Sequence, residues 1–281
     1  MKKKFVYFIL LLTQFSIACP NLDFYKKEAT NENKFMVAFF YSSICDNCQE
    51  FNEWAHQKPV FKDILNKFVS FNVTTEIWDI NQKMFLDYSV PFNADIHALV
   101  LDANGKEITR INSNNDIYAI FQELQFYAYP TNDLKDYLIN YNKKKTIENA
   151  EELIENYYKF SQNINSSKKS NFISISNSYL NEAITIAKKK RKYNVKTQQK
   201  VELISLYELA FINDYDALKS KLDNFNEVAI HEENKSNFYF LKLVVEKAFN
   251  NADYETTMLK LKNSSKYNFE SKLQLIKSLF S

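Results

Sequence analysis

With 281 residues, 46% of them hydrophobic and 25% charged, the chain has the length of two domains and the composition of an ordinary globular protein. A formal net charge of only +2, from 36 Lys+Arg and 34 Asp+Glu, leaves no global basic field and excludes nucleic acid as a partner class. The lone glycine, Gly105, excludes the Gly-rich phosphate loops of P-loop and dinucleotide-binding proteins, whose turns need several glycines at fixed spacing.

Residues 1–18 read as a secretory signal: Met1–Lys4 are positive, Phe5–Leu12 form an apolar run, and Ser16-Ile17-Ala18 supply small residues before a cleavage point. The apolar run falls short of the ~20 residues that a membrane-spanning helix needs. The next residue is Cys19, and Ser-Ile-Ala-Cys is similar to the lipobox of bacterial lipoproteins, in which that cysteine is lipidated and becomes the N-terminus. An ordinary secreted protein with an unmodified Cys19 is the alternative. Of three cysteines, two form a C-x-x-C pair, and lipidation accounts for the odd one, so the lipoprotein is favoured. Residues 19–33 are then a tether, and the expected location is extracytoplasmic or periplasmic, anchored to a membrane.

Residues 34–130 alternate strand and helix signals. Met36–Tyr41 is a short apolar run of the kind buried in a sheet, and it leads into an amphipathic stretch with Phe51, Trp54 and Ala55 on one face. Pro59 suits the first turn of a further helix carrying Val60, Phe61, Ile64 and Leu65, and Phe68–Val73 alternates as a strand. Ala98–Leu101 and Lys106–Ile111 flank Asp102-Ala103-Asn104-Gly105, where Asn-Gly predicts a tight hairpin because both residues tolerate positive φ. Ile117, Ile120, Phe121, Leu124 and Tyr127 mark a last helix, so the predicted order is β-α-β-α-β-β-α.

From 131 to 281 strand signals vanish and apolar residues recur at helical spacing, as at Ile147, Ala150, Leu153/Ile154 and Tyr157/Tyr158, which predicts an all-α domain. Ala210–Tyr215 and Ala248–Tyr254 look alike at an offset of 38 to 39 residues, either as two degenerate helical repeats or as parts of an irregular bundle. Residues 19–130 carry 9 Lys+Arg against 15 Asp+Glu, and 131–281 carry 24 against 19, an asymmetry that lets the parts attract different partners.

The chemistry is expected at Cys45-Asp46-Asn47-Cys48. A C-x-x-C placed between a buried strand and a helix sets the first sulfur beside free backbone N–H groups and the positive end of the helix dipole, both of which favour the thiolate. Cys45 is then the nucleophile and Cys48 the resolving thiol. An inert structural disulfide is the competing reading. No metal or cofactor is expected, because Cys19, His56, His97 and His231 stand in scattered contexts.

At these residues the chain resembles the secreted, membrane-tethered members of the thioredoxin superfamily: Phe39–Cys48 resembles the family's strand, active-site loop and C-x-x-C, and Val100–Glu107 its final hairpin. The resemblance spans residues 34 to about 128. It implies a central mixed sheet flanked by helices, with Cys45 and Cys48 cycling between dithiol and disulfide on exported proteins with cysteines, supplied by a membrane redox partner. Ile44 stands where the family has Trp, Phe39 where cytosolic thioredoxins have a buried acid, and Ile96-His97 where a cis-proline belongs. Asp46 opposes the Cys45 thiolate and tilts the pair toward reduction or isomerisation. The competing class is a catalytically idle thioredoxin-fold lipoprotein whose helical half binds a protein partner.

Overall fold

A computed structural model describes residues 21–42, 46–92, 96–112, 116–265 and 268–280. The signal, Cys19 and Cys45 lie outside the described residues. The first described element is helix α1 (Leu22–Glu32), which lies within the residues expected to form the tether. The Asn21 side chain caps it by accepting from Phe24 N–H, and Asn33 closes it in the left-handed region with φ 54°. Its periodicity is mostly polar, which hid it in the sequence. Tyr25 stacks on Phe71 at 3.9 Å and Ala29 is fully buried, so the helix is packed on the sheet.

Four strands follow, β1 (Phe35–Tyr41), β2 (Phe68–Thr74), β3 (His97–Leu101) and β4 (Glu107–Asn112), in the spatial order β2-β1-β3-β4. β1 and β2 run parallel, with Phe35 opposite Phe68, and the β1–β3 and β3–β4 pairs are antiparallel. All of β1 and β3 is buried, as central strands covered on both faces require, whereas β2 exposes Ser70 and Asn72 between its apolar residues. Helices α2 (Asp46–Gln57) and α3 (Pro59–Leu65) join β1 to β2, α4 (Trp78–Asp87) joins β2 to β3, and α5 (Ile117–Leu124) follows β4. The predicted apolar face of α5, Ile117, Ile120, Phe121 and Leu124, is buried, and Asp116 caps the helix.

The predicted hairpin turn forms with a different conformation. Gly105 alone of the turn takes positive φ, at 83°; its N–H donates to the Asp102 carbonyl and Asp102 N–H donates to the Lys106 carbonyl, both at 2.9 Å. This is a three-residue loop, a turn closed by a left-handed glycine, rather than the two-residue Asn-Gly turn. Ladder register breaks beside it, between Val100 and Leu101. A β-carbon at 105 would meet Lys26 Cε at 2.6 Å, a contact that the flexible lysine can relieve, so backbone strain decides the cost. Gly105→Ala is expected to lose about 1–2 kcal/mol in urea denaturation.

Beyond residue 131 the described chain is helical: α6 (Asn132–Lys143), α7 (Ile147–Ser161), α8 (Lys169–Lys189), α9 (Val195–Ser205), α10 (Tyr207–Phe211), α11 (Tyr215–Leu222), α12 (Lys235–Ala248), α13 (Tyr254–Ser264) and α14 (Phe269–Leu279). The look-alike segments have the same local structure. Each ends a helix on a left-handed Asn, Asn213 (φ 62°) or Asn250 (φ 50°), and starts the next helix at Tyr215 or Tyr254. Asp214 N–H donates to Leu209 O and Asn251 N–H to Glu246 O, the six-to-one bond of a Schellman cap in both copies. Among the described residues no helix is long and apolar enough to cross a membrane.

The helical part packs against one end of the sheet. Phe35, at the start of β1, meets Phe160 edge-on at 5.5 Å and lies 6.2 Å from Phe172. At the same end, just past β3, the fully buried Asp102 accepts from Tyr157 Oη at 2.8 Å and from Tyr179 Oη. Asn104 donates to the Leu138 carbonyl at 3.1 Å, and Lys106 pairs with Glu182 at 3.0 Å. The opposite end of the sheet, where β1 finishes at Tyr41 and β3 begins at His97, is the end from which the chain enters α2.

Candidate active site

The unbroken apolar run of β1 forces it into the middle of the sheet, and the chain leaves it directly toward α2. Cys48 is the third residue of that helix and is buried, at 4% exposure. Cys48, Phe51 and Ala55, spaced three and four apart, make the inward face. Phe51 lies 4.7 Å from Phe39 and stacks on Phe121 at 5.8 Å, while Trp54 stacks on Phe61 at 5.3 Å with Lys58 Nζ 3.7 Å above its ring. Sheet and helices thus grip α2 along its length and fix its first turn. The unpaired N–H groups of such a turn, with the helix dipole behind them, favour an anionic sulfur.

Parallel β1 and β2 end together, with Tyr41 opposite Thr74, and antiparallel β3 starts beside them, with His97 opposite Phe40. Three connections therefore converge at this edge: the one holding the C-x-x-C, the one after β2 and the one before β3. Thr75 Oγ1 donates to Ser42 Oγ at 3.4 Å, which ties the first two together, and Asn81 Nδ2 donates to the Thr74 carbonyl at 2.8 Å within the second. His97 is buried with its Nδ1 2.8 Å from Asn112 Oδ1, so its ring is held by the β4 strand. Ile96, immediately before it, is buried too. Ile77 and Phe92, in the second and third connections, are exposed. Of the predicted catalytic pair the structure places Cys48; Cys45 and Cys19 fall outside the described residues, and so do Ser43 and Ile44.

Among the described residues no group of three or more His, Cys, Asp or Glu is arranged to hold a metal. Two buried polar clusters escaped the sequence reading. In the first, the Asp102 carboxylate is pushed up from its ordinary value by burial, an effect opposed by hydrogen bonds from Tyr179, Tyr157 and the backbone N–H groups of Lys106 and Asn104. In the second, Lys272, at 0% exposure, places Nζ 2.5 Å from Glu155 and 2.8 Å from Tyr207 Oη, and Lys200 pairs with Glu151 at 2.7 Å. The only sequence signal for the second was four glutamates, Glu148, Glu151, Glu152 and Glu155, on neighbouring turns of α7.

No family model, curated protein or solved structure matches the chain.

Proposed function

We propose that the protein is a thioredoxin-like thiol-disulfide oxidoreductase of an extracytoplasmic compartment, tethered through lipidated Cys19, that acts on exported proteins. The observation that carries this reading is the placement of Cys48: buried, in the first turn of the helix that leaves the central strand, one helical turn in sequence after Cys45. The mixed four-stranded sheet with flanking helices is compatible with the resemblance at Phe39–Cys48 and Val100–Glu107. In the proposed reaction the Cys45 thiolate attacks a substrate disulfide, forming a mixed disulfide and releasing one substrate thiolate. Cys48 then attacks Cys45 sulfur, releasing the second substrate thiolate and leaving the pair oxidised by two electrons. Asp46 destabilises the Cys45 thiolate, which favours the disulfide form and so the reducing or isomerising direction. The membrane redox partner returns the two electrons.

A second reading, a thioredoxin-fold binding protein without turnover, is favoured by one observation: Ile96 occupies the position before β3 where the family has its proline. Equilibration in glutathione buffers, with a disulfide-reduction assay on the same sample, separates the two. The oxidoreductase gives a defined potential and turnover, Cys48→Ser accumulates a mixed disulfide, and Cys45→Ser in addition abolishes it. A pair that neither equilibrates nor turns over leaves the binding protein.

A further inference from the structure

A groove of about 340 Å3 lies between α11, α12 and the connection that joins them. It has the size of a small-molecule site. Leu222, Phe225, Phe238 and Val245 give it apolar walls, and its charged lining is Lys219, Asp223, Glu227, Lys242 and Glu246. Four of these five are paired: Lys219 with Asp223 at 2.6 Å, and Glu227 with Lys242 at 3.2 Å as well as with Lys260 at 2.7 Å. Glu246 has no ion pair among the described residues.

A second observation concerns the same carboxylate. Glu246 is the one buried residue of the five, at 4% exposure. Its Oε1 accepts from Thr257 Oγ1 at 2.9 Å, whereas its Oε2 is buried without a hydrogen-bond partner. Thr257 belongs to α13, outside the groove lining, so the side chain that borders the groove is anchored through one oxygen and has the other uncommitted. Protonation does not repair this: an ionised Oε2 lacks a donor, and a hydroxyl there lacks an acceptor. Burial pushes the carboxyl up, against the Thr257 hydrogen bond and the charge of Lys242. A buried carboxyl oxygen left in this state is rare in folded proteins, because it forgoes its water without gaining a partner.

We propose that this groove binds a small organic amine, its ammonium donating to Glu246 Oε2 and its apolar body lying against Leu222, Phe225, Phe238 and Val245. A divalent metal ion needs about six oxygen ligands, and Glu246 is the one carboxylate of the groove without a cation. A neutral alcohol brings no charge to a buried carboxylate, and an inorganic cation leaves the apolar walls unused. The proposal concerns a non-covalent event in the helical part, so it stands or falls apart from the redox reading.

The test is calorimetric titration of the purified protein at neutral pH with phenethylamine, phenethyl alcohol, methylamine and Nα-acetyl-lysine methylamide. Saturable one-site binding of phenethylamine is expected. It should be at least about tenfold tighter than that of the alcohol, which has the ring without the charge, or of methylamine, which has the charge without the ring. Glu246→Gln keeps the shape and an acceptor for Thr257, and it should weaken phenethylamine by about tenfold or more. The melting temperature of that variant is expected to equal or exceed that of the wild-type chain, since a buried charge is gone, so lost affinity reports the site rather than misfolding. Absence of saturable phenethylamine binding, equally tight binding of the alcohol, or unchanged affinity in Glu246→Gln overturns the proposal. Tighter binding of the lysine derivative than of phenethylamine overturns it in favour of a lysine side chain from a partner protein.

Discussion

Asp102→Ala is expected to destabilise the fold by about 4 kcal/mol, because it strands four donors in a buried place at roughly 1–3 kcal/mol each, some of which find other acceptors. The donors are the Asn104 and Lys106 N–H groups, both 2.9 Å from Oδ1, and the Tyr157 and Tyr179 hydroxyls on Oδ2. In a chain of this size a loss of that order lowers the melting temperature by about 10 °C. Tyr157→Phe removes one of these hydrogen bonds and should cost about 0.5–1.5 kcal/mol. Asp102→Asn keeps the shape and adds a pH signature. The folded-state pKa of Asp102 is raised above its ordinary 3.8. Stability from this group is therefore fully present below that value and is lost as pH rises through the raised one. The asparagine does not titrate, so the cost of Asp102→Asn should be larger at pH 4 than at pH 7. A cost below about 1 kcal/mol for Asp102→Ala in urea denaturation would mean that the Asp102 hydrogen bonds contribute little to joining the hairpin to the helical part.

Removing the charge of Lys272 is the second large effect. Its ammonium is fully buried against Glu155 and Tyr207, with Glu151 at 3.9 Å. Lys272→Met leaves two buried carboxylates facing one remaining cation, Lys200, and breaking such a buried pair typically costs about 3–5 kcal/mol. Lys272→Met combined with Glu155→Gln removes both charges, leaves an acceptor for Tyr207, and should recover more than half of the loss in a double-mutant cycle. Burial pushes the Glu151 carboxyl up, but Lys200 and Lys272 outweigh it and hold it below its ordinary 4.5. Stability from Glu151 is therefore present above 4.5 and lost as pH falls through the depressed value. Lys272→Met weakens that depression, so the variant should lose less stability than the wild-type chain between pH 6 and pH 3. Equal acid sensitivity in both would remove Lys272 from the account of Glu151.

The first cluster joins the sheet to the helical part, and the second holds α7, α10 and α14 together within it. Asp102 and Phe35 join the helical part to one end of the sheet, and the C-x-x-C enters α2 at the other.

What could be read from the sequence was local. The apolar run Met36–Tyr41 called for a central strand, the spacing of Phe51, Trp54 and Ala55 for the helix after it, and Gly105 for a turn, because each depends on neighbours within a few residues. Cysteine spacing singled out the candidate site in the same way, and Cys48 does lie in the first turn of α2. The look-alike Ala210 and Ala248 segments share caps because capping chemistry is also local. Helix α1 was missed because a polar, weakly periodic stretch is held helical by its two Asn caps and by Tyr25 on Phe71, and the second of these is a distant contact. Asp102 belongs to a predicted turn, and nothing near it in sequence shows that it is buried by Tyr157 and Tyr179, 55 and 77 residues away. Nothing near Lys272 in sequence marks it as buried, because its partner Glu155 lies 117 residues earlier. Hydrophobic period and turn chemistry determine which elements form; which charges are buried, and against what, is decided only when remote elements pack, because a charge leaves water only where a partner already waits.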